Sequence, residues 1–103
     1  MDRIERLKAF LREQPGDNFL QHALALEYVK LGKEAEAREL FETILQRDPG
    51  YTGSYYHLGK LLERTGLPTG AVQVYEKGMA ACRQAGDTHA YNELQAAYED
   101  LVY

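Results

Sequence analysis

Slid along itself by 34 residues, the chain falls back into register: Pro15-Gly16 lands on Pro49-Gly50, Leu24 on Leu58, Gly32 on Gly66, Ala37 on Ala71 and Phe41 on Tyr75. Leu7 matches Phe41, Leu11 matches Leu45, Ala25 matches Gly59, Tyr28 matches Leu62 and Glu42 matches Glu76, so core, turn and surface positions recur together. A fixed period of about 20 to 50 residues marks a repeat architecture, in which each unit buries its apolar face only against its neighbours. The period therefore constrains the scaffold before any single residue names a ligand.

Between the punctuating Gly and Pro residues, apolar positions recur with helical spacing, and no stretch alternates as a strand. Residues 2–14 place Ile4, Leu7, Phe10 and Leu11 on one stripe until Pro15-Gly16 stops the helix. Asp17 is suited to cap a second helix that ends at Gly32, a residue able to take the left-handed backbone just past a helix end. A third helix over about 34–47 carries Ala37, Leu40, Phe41, Ile44 and Leu45 and breaks at Asp48-Pro49-Gly50. Thr52 or Ser54 opens a fourth, with Tyr55, Leu58 and Leu62, closed by Gly66. Pro68 fits the first turn of a fifth helix bearing Ala71, Val74, Tyr75, Gly78 and Cys82. Beyond Gly86-Asp87 a sixth starts near Thr88 and carries Tyr91, Leu94, Tyr98 and Leu101. Ala37 and Ala71 are the positions where neighbouring helices are expected to approach most closely.

This set of residues resembles the tetratricopeptide repeat family, whose unit is a helix-turn-helix of about 34 residues. Residues 18–51 supply Leu24, Ala25, Tyr28, Gly32, Ala37, Phe41 and Pro49 of its pattern, and residues 52–87 supply Tyr55, Leu58, Gly59, Gly66, Ala71, Tyr75 and Gly78. Departures are Gln21 at the opening aromatic, Ile44 at a small position, Leu62 for a Tyr, and Arg83 for the closing Pro in a unit two residues longer. The resemblance implies an all-α fold: a right-handed α-solenoid of antiparallel helix pairs, six helices in one domain over 1–103. Residues 18–51 and 52–87 would be two repeats, flanked by capping helices at 2–16 and 88–103. The second helix is apolar on two faces, one with Leu20, Leu24, Tyr28 and Leu31, the other with Phe19, His22, Leu26 and Val29. The outer helices have one apolar face each, as the ends of a closed stack require.

Charge and composition narrow the function. With 12 basic and 16 acidic residues the formal charge is −4, which lacks the basic surface that phosphate-backbone binding needs, so nucleic acid is not an expected partner. No apolar run approaches the roughly 20 residues that span a bilayer, and Met1-Asp2-Arg3 leads straight into an amphipathic pattern, so the expectation is a cytoplasmic protein without a membrane partner. Cys82 is the only cysteine, which excludes an intramolecular disulfide and gives no reason for an oxidising compartment.

Catalysis and metal binding find little support. His22, His57 and His89 fall on the first helices of successive units, and imidazoles on helices about 8–10 Å apart rarely converge on one ion. No His-Glu-x-x-His, Cys-x-x-Cys or phosphate-binding glycine loop occurs. Cys82 shares a stripe with Gly78 and Tyr75 and reads as a buried thiol. The carboxylates Glu34, Glu36, Glu39 and Glu42 share their helix with Lys33, Arg38 and Arg47 and read as a solvated face. The expectation is a protein with no catalytic residue, cofactor or metal.

What remains is a surface. If the chain packs as the family does, the concave face receives Phe19, His22, Leu26, Val29 and Lys30 from the second helix, Tyr56, Lys60 and Arg64 from the fourth, and His89 and Asn92 from the sixth. Aromatic anchors beside cationic heads are what interfaces favour, and such a groove is wide enough for a peptide. Lys60 and Arg64 near Tyr56 favour a protein or peptide partner with acidic residues. Some relatives clamp the carboxylate of chaperone tails with Lys and Asn; here His22, Leu26, His57, His89 and Glu93 stand at those places, which argues against that ligand. A monomer is expected, and the alternative is a self-assembling homodimer joined through Phe19, Leu26 and Tyr56.

Overall fold

A computed structural model describes residues 2–103 and contains six α-helices: α1 Arg3–Glu13, α2 Asn18–Lys30, α3 Glu34–Arg47, α4 Gly53–Arg64, α5 Pro68–Ala85 and α6 Thr88–Val102. No strand occurs among the described residues, and no helix among them is long and apolar enough to cross a membrane. The boundaries follow side-chain chemistry. Asp2, Asp17 and Asp87 each accept a hydrogen bond from the third backbone N–H beyond them, from Glu5 at 2.8 Å, Leu20 at 2.9 Å and Ala90 at 3.1 Å. Each satisfies an otherwise orphaned donor and sets negative charge at the positive end of a helix.

Three helices end the same way. Gly32, Gly66 and Gly86 have φ of 74°, 80° and 70°, the left-handed region open to a residue without Cβ. The next N–H reaches back into the helix: Lys33 to Tyr28 O at 2.9 Å, Leu67 to Leu62 O at 2.8 Å and Asp87 to Cys82 O at 2.9 Å. Pro68 opens α5, where a missing N–H costs nothing. Thr52 stands at the N-cap of α4, as expected, but keeps a helical backbone and makes no capping hydrogen bond; its hydroxyl donates instead to Asp87 at 2.8 Å. Ser54 lies within the helix, fully buried.

Short turns fold successive helices back on one another, and each helix packs on the next, with α6 also reaching α4. The result is an all-α solenoid, a stack measuring 44 × 29 × 20 Å. Its main core runs from α2 to α6 around Phe41, Leu61, Tyr75 and Leu94, all essentially inaccessible to solvent. A separate, smaller cluster of Leu7, Ala23 and Leu24, edged by Ile4, Leu11 and Leu20, joins α1 to α2. Phe10 does not share this stripe: it is 53% exposed, because Ile4, Leu7 and Leu11 alone span the contact and Phe10 lies about 90° round the helix from their centre.

Ala37 and Ala71 are fully buried, and two glycines mark seams with no room for a methyl at all. A Cβ added at Gly59 would meet Tyr75 Cε1 at 2.1 Å, and one at Gly78 would meet Tyr55 Cβ at 2.7 Å and Leu94 Cδ1 at 2.8 Å. An alanine has room for its own methyl; these two positions have none. The α4–α5 and α5–α6 seams are tight because a side chain is missing on one side of each.

Candidate functional site

Side chains from α2, α4 and α6 meet at a cleft of about 270 Å³. Its walls are His22 from α2, Tyr56 and His57 from α4, and Ala90, Glu93 and Leu94 from α6. Helical spacing makes this possible: positions 22, 56–57 and 93 occupy one level of three adjacent first helices, on the side away from α3 and α5. A larger hollow, about 560 Å³, is a seam on the opposite side, between α3 and α5 beside Leu45, Tyr55, Val74 and Lys77.

An aromatic floor holds the imidazoles. The His22 and His57 rings lie 5.4 Å apart edge to face, the Phe41 ring is 5.5 Å from His22, and it stacks nearly parallel to His57 at 6.2 Å. Tyr56 stands perpendicular to His57 at 5.6 Å. His22 Nδ1 shares a 2.8 Å hydrogen bond with Ser54 Oγ, so the polar atom buried at the start of α4 finds its partner in α2. Burial penalises the charged imidazolium and, with repulsion from His57, pulls the His22 pKa from 6.5 down to about 4. The His57 pKa is also lowered by burial, against a smaller upward pull from the Glu93 carboxylate. Both rings are therefore neutral at pH 7.

The fixed charges of this face pair among themselves. Lys60 Nζ lies 5.7 Å over the Tyr56 ring and 3.7 Å from Glu63, which also accepts the Tyr75 hydroxyl. Burial and that carboxylate hold the Tyr75 hydroxyl firmly in its protonated form. Arg64 stands 3.8 Å from Glu34, and Lys30 stands 3.0 Å from Glu27, which Arg3 approaches at 3.6 Å. On α6, His89 lies 3.7 Å from Glu93.

Of the residues expected on the groove, His22 and Tyr56 line the cleft together, and Lys60 flanks it. Leu26, Val29 and Tyr56 are half-buried and lean on the main core. Phe19, at 69% exposure, stands at the first turn of α2 with little covering it. Lys30, Arg64, His89 and Asn92 are exposed and lie outside the cleft walls. His57 and Glu93 belong to the cleft but not to the expected groove. The period itself held the signal: shifted by 34, His22 lands on Tyr56, so His57 is one helical step round and turns toward α2. No group of three or more His, Cys, Asp or Glu side chains among the described residues is placed to hold a metal ion, and His89 stays apart in solvent.

Comparison with known proteins agrees on the scaffold. Residues 28–98 match the model of a tetratricopeptide repeat family. A TPR repeat-containing protein of Pseudomonas aeruginosa is 30% identical over 91 residues, 88% of this chain and 87% of the relative. The crystal structure of a tetratricopeptide repeat domain protein from Salinibacter ruber superposes with a TM-score of 0.79 at 39% identity, covering 82% of this chain and 94% of that one. A solution structure from Bordetella parapertussis gives a TM-score of 0.83 at 31% identity, covering 98% and 88% respectively.

Proposed function

Since the chain belongs to the tetratricopeptide repeat family, we propose that it is a protein–protein interaction module that receives a segment of a partner protein on the face formed by α2, α4 and α6. The observation that carries this reading is a row of apolar side chains only partly covered. Leu26, Val29 and Tyr56 are half-buried against the core, and Phe19 at the end of the row is largely in solvent. Burying such residues under a partner yields about 25 cal/mol per Å² of apolar surface removed from water, and Tyr beside Lys and Arg is a typical anchor. The repeat units are 18–51 and 52–87, flanked by 2–16 and 88–103, and the module works as a monomer.

Acidic residues in the partner fit Lys60 and Arg64. Their ion pairs with Glu63 and Glu34 are long, at 3.7 and 3.8 Å, and exposed, so each is worth about 0–1 kcal/mol and yields readily to a partner carboxylate. Catalysis has no support in the cleft: the Ser54 hydroxyl that bonds His22 is fully buried, out of reach of a substrate, and Cys82 is buried with its thiol pKa raised.

Peptides selected from a display library against the whole chain, then titrated into isotopically labelled protein, test the proposal. Amide shifts at Phe19, Leu26, Tyr56 and Lys60, with binding lost in Tyr56→Ala and weakened by salt, are the expected result. Shifts confined to Leu45, Val74 and Lys77 would place the partner on the opposite seam and refute it.

A further inference from the structure

The geometry points to a specific chemistry within that face: the cleft between His57 and Glu93 takes a basic side chain, Lys or Arg, of the bound segment. The inference rests on the reading of α2, α4 and α6 as an interaction surface and adds a polarity to it. Glu93 supplies the charge. Glu27, Glu34 and Glu63, on α2, α3 and α4, each have a Lys or Arg within 3.0 to 3.8 Å. Among the described residues Glu93 has only the imidazole of His89, at 3.7 Å, and its side chain is 52% exposed. No Lys or Arg is among the lining residues: Lys60 flanks the cleft over Tyr56 with its charge paired to Glu63, and Arg64 is paired to Glu34.

The remaining walls suit a cation with a hydrocarbon stem. The two imidazoles offer ring edges and nitrogens, and because burial keeps both neutral they do not repel positive charge; Tyr56, which already carries Lys60 over its ring, adds an aromatic wall. Leu94 and Ala90 give an apolar wall for the methylenes. About 270 Å³ corresponds to roughly nine water molecules at ~30 Å³ each, ample for one Lys or Arg side chain.

Lys60 and Arg64 then fix the other end of the ligand. They lie about 5–10 Å further along the helix axes than Glu93, and one helix spacing of about 8–10 Å to the side. That diagonal of about 9–14 Å is spanned by three to four residues of extended chain. The preferred segment carries a basic residue in the cleft and an acidic residue three or four positions away.

The test is selection from a randomised 12-residue display library against the whole chain and against Glu93→Gln and Tyr56→Ala, followed by fluorescence anisotropy with the best labelled peptides. Wild-type selection is expected to enrich Lys or Arg three or four positions from Asp or Glu. Glu93→Gln should lose the basic preference and keep the acidic one, and acetylating the peptide lysine should weaken binding about 5- to 10-fold to the wild type and by less than 2-fold to Glu93→Gln. Binders that depend on Tyr56 but show no basic preference, or none that Glu93→Gln removes, overturn the inference and leave the groove standing. Binders indifferent to Tyr56, or none at all, overturn both. Sedimentation of Glu93→Gln beside the wild type reports the remaining occupant: a dimer that only the wild type forms would mean that the cleft takes a Lys or Arg of a second copy.

Discussion

Gly59→Ala isolates the packing logic of this stack in one methyl group. In an open stretch of helix the change is stabilising by about 1 kcal/mol, because alanine loses less backbone entropy than glycine. At Gly59 the new Cβ would sit 2.1 Å from Cε1, 2.5 Å from Cζ and 2.7 Å from Cδ1 of Tyr75. Carbon atoms at rest stand about 3.5–4.0 Å apart, so the ring must move by about 1.5 Å. That ring is fully buried and its hydroxyl is tied to Glu63, so it has no free direction. Overpacking of this kind costs about 1–3 kcal/mol or more, and weakening the hydroxyl's hydrogen bond to a carboxylate adds about 1–2 kcal/mol. Set against the helix gain, the net loss is about 2 kcal/mol, or a fall in Tm of about 8–16 °C for a domain of this size.

Thermal melts followed by circular dichroism measure it directly, with Gly53→Ala as the control, since a Cβ there meets nothing within 4 Å. Gly53→Ala should hold or raise Tm while Gly59→Ala lowers it. In a double-mutant cycle Tyr75→Leu should absorb part of the Gly59→Ala penalty. A Gly59→Ala protein that melts at or above the wild-type temperature would refute the reasoning.

Acid should destabilise the fold in a window set by the imidazoles. Below pH 6.5 the unfolded chain protonates His22, which the folded chain resists down to about pH 4, so stability falls as pH drops between those values; allowing for the half-open ring, the loss is about 1–2 kcal/mol, and a urea midpoint at pH 4.5 that declines no more in the wild type than in His22→Asn would contradict it. Ala71→Leu in the buried α5 contact should cost about 1–3 kcal/mol in a denaturant melt, and an unchanged midpoint would show that α5 has been placed one step wrongly. Cys82, 1% exposed with a raised thiol pKa, should react with a thiol reagent only as fast as the protein opens, and prompt labelling in native buffer would show that the α4–α5–α6 core is not closed.

The helix boundaries were legible because each is written in local chemistry: Asp17 and Asp87 cap, Pro68 opens, and Gly32, Gly66 and Gly86 close. Thr52 does open α4, but its hydroxyl goes to Asp87, 35 residues away, a partner that no local rule includes. Phe10 misled because a 3.6-residue pattern admits a fourth apolar position whether or not a neighbouring helix is wide enough to cover it. The period paired Gly59 with Ala25 as equivalent small residues, but it could not tell that the Tyr75 ring leaves no room for a methyl at Gly59. At the cleft, Tyr56 and His22 could be placed from their register, whereas His57 and Glu93 depended on the rotation of α4 toward α2 and on which cations were already engaged elsewhere.

The two unequal apolar clusters have a consequence for motion. α1 is fastened to the stack by the small cluster in which Leu7 is its only buried residue, while α4 through α6 share the large one. In a linear array, where each element is held by its neighbours, the free energy of opening is then lowest at α1 and rises toward α5. Amide hydrogens of α1 will exchange through local detachment, those of α4 and α5 through rupture of the whole domain. When α1 lifts away, α2 bares the face of Leu20, Leu24 and Tyr28 while its other side keeps His22 against Ser54. Release of α1 therefore leaves the cleft undisturbed.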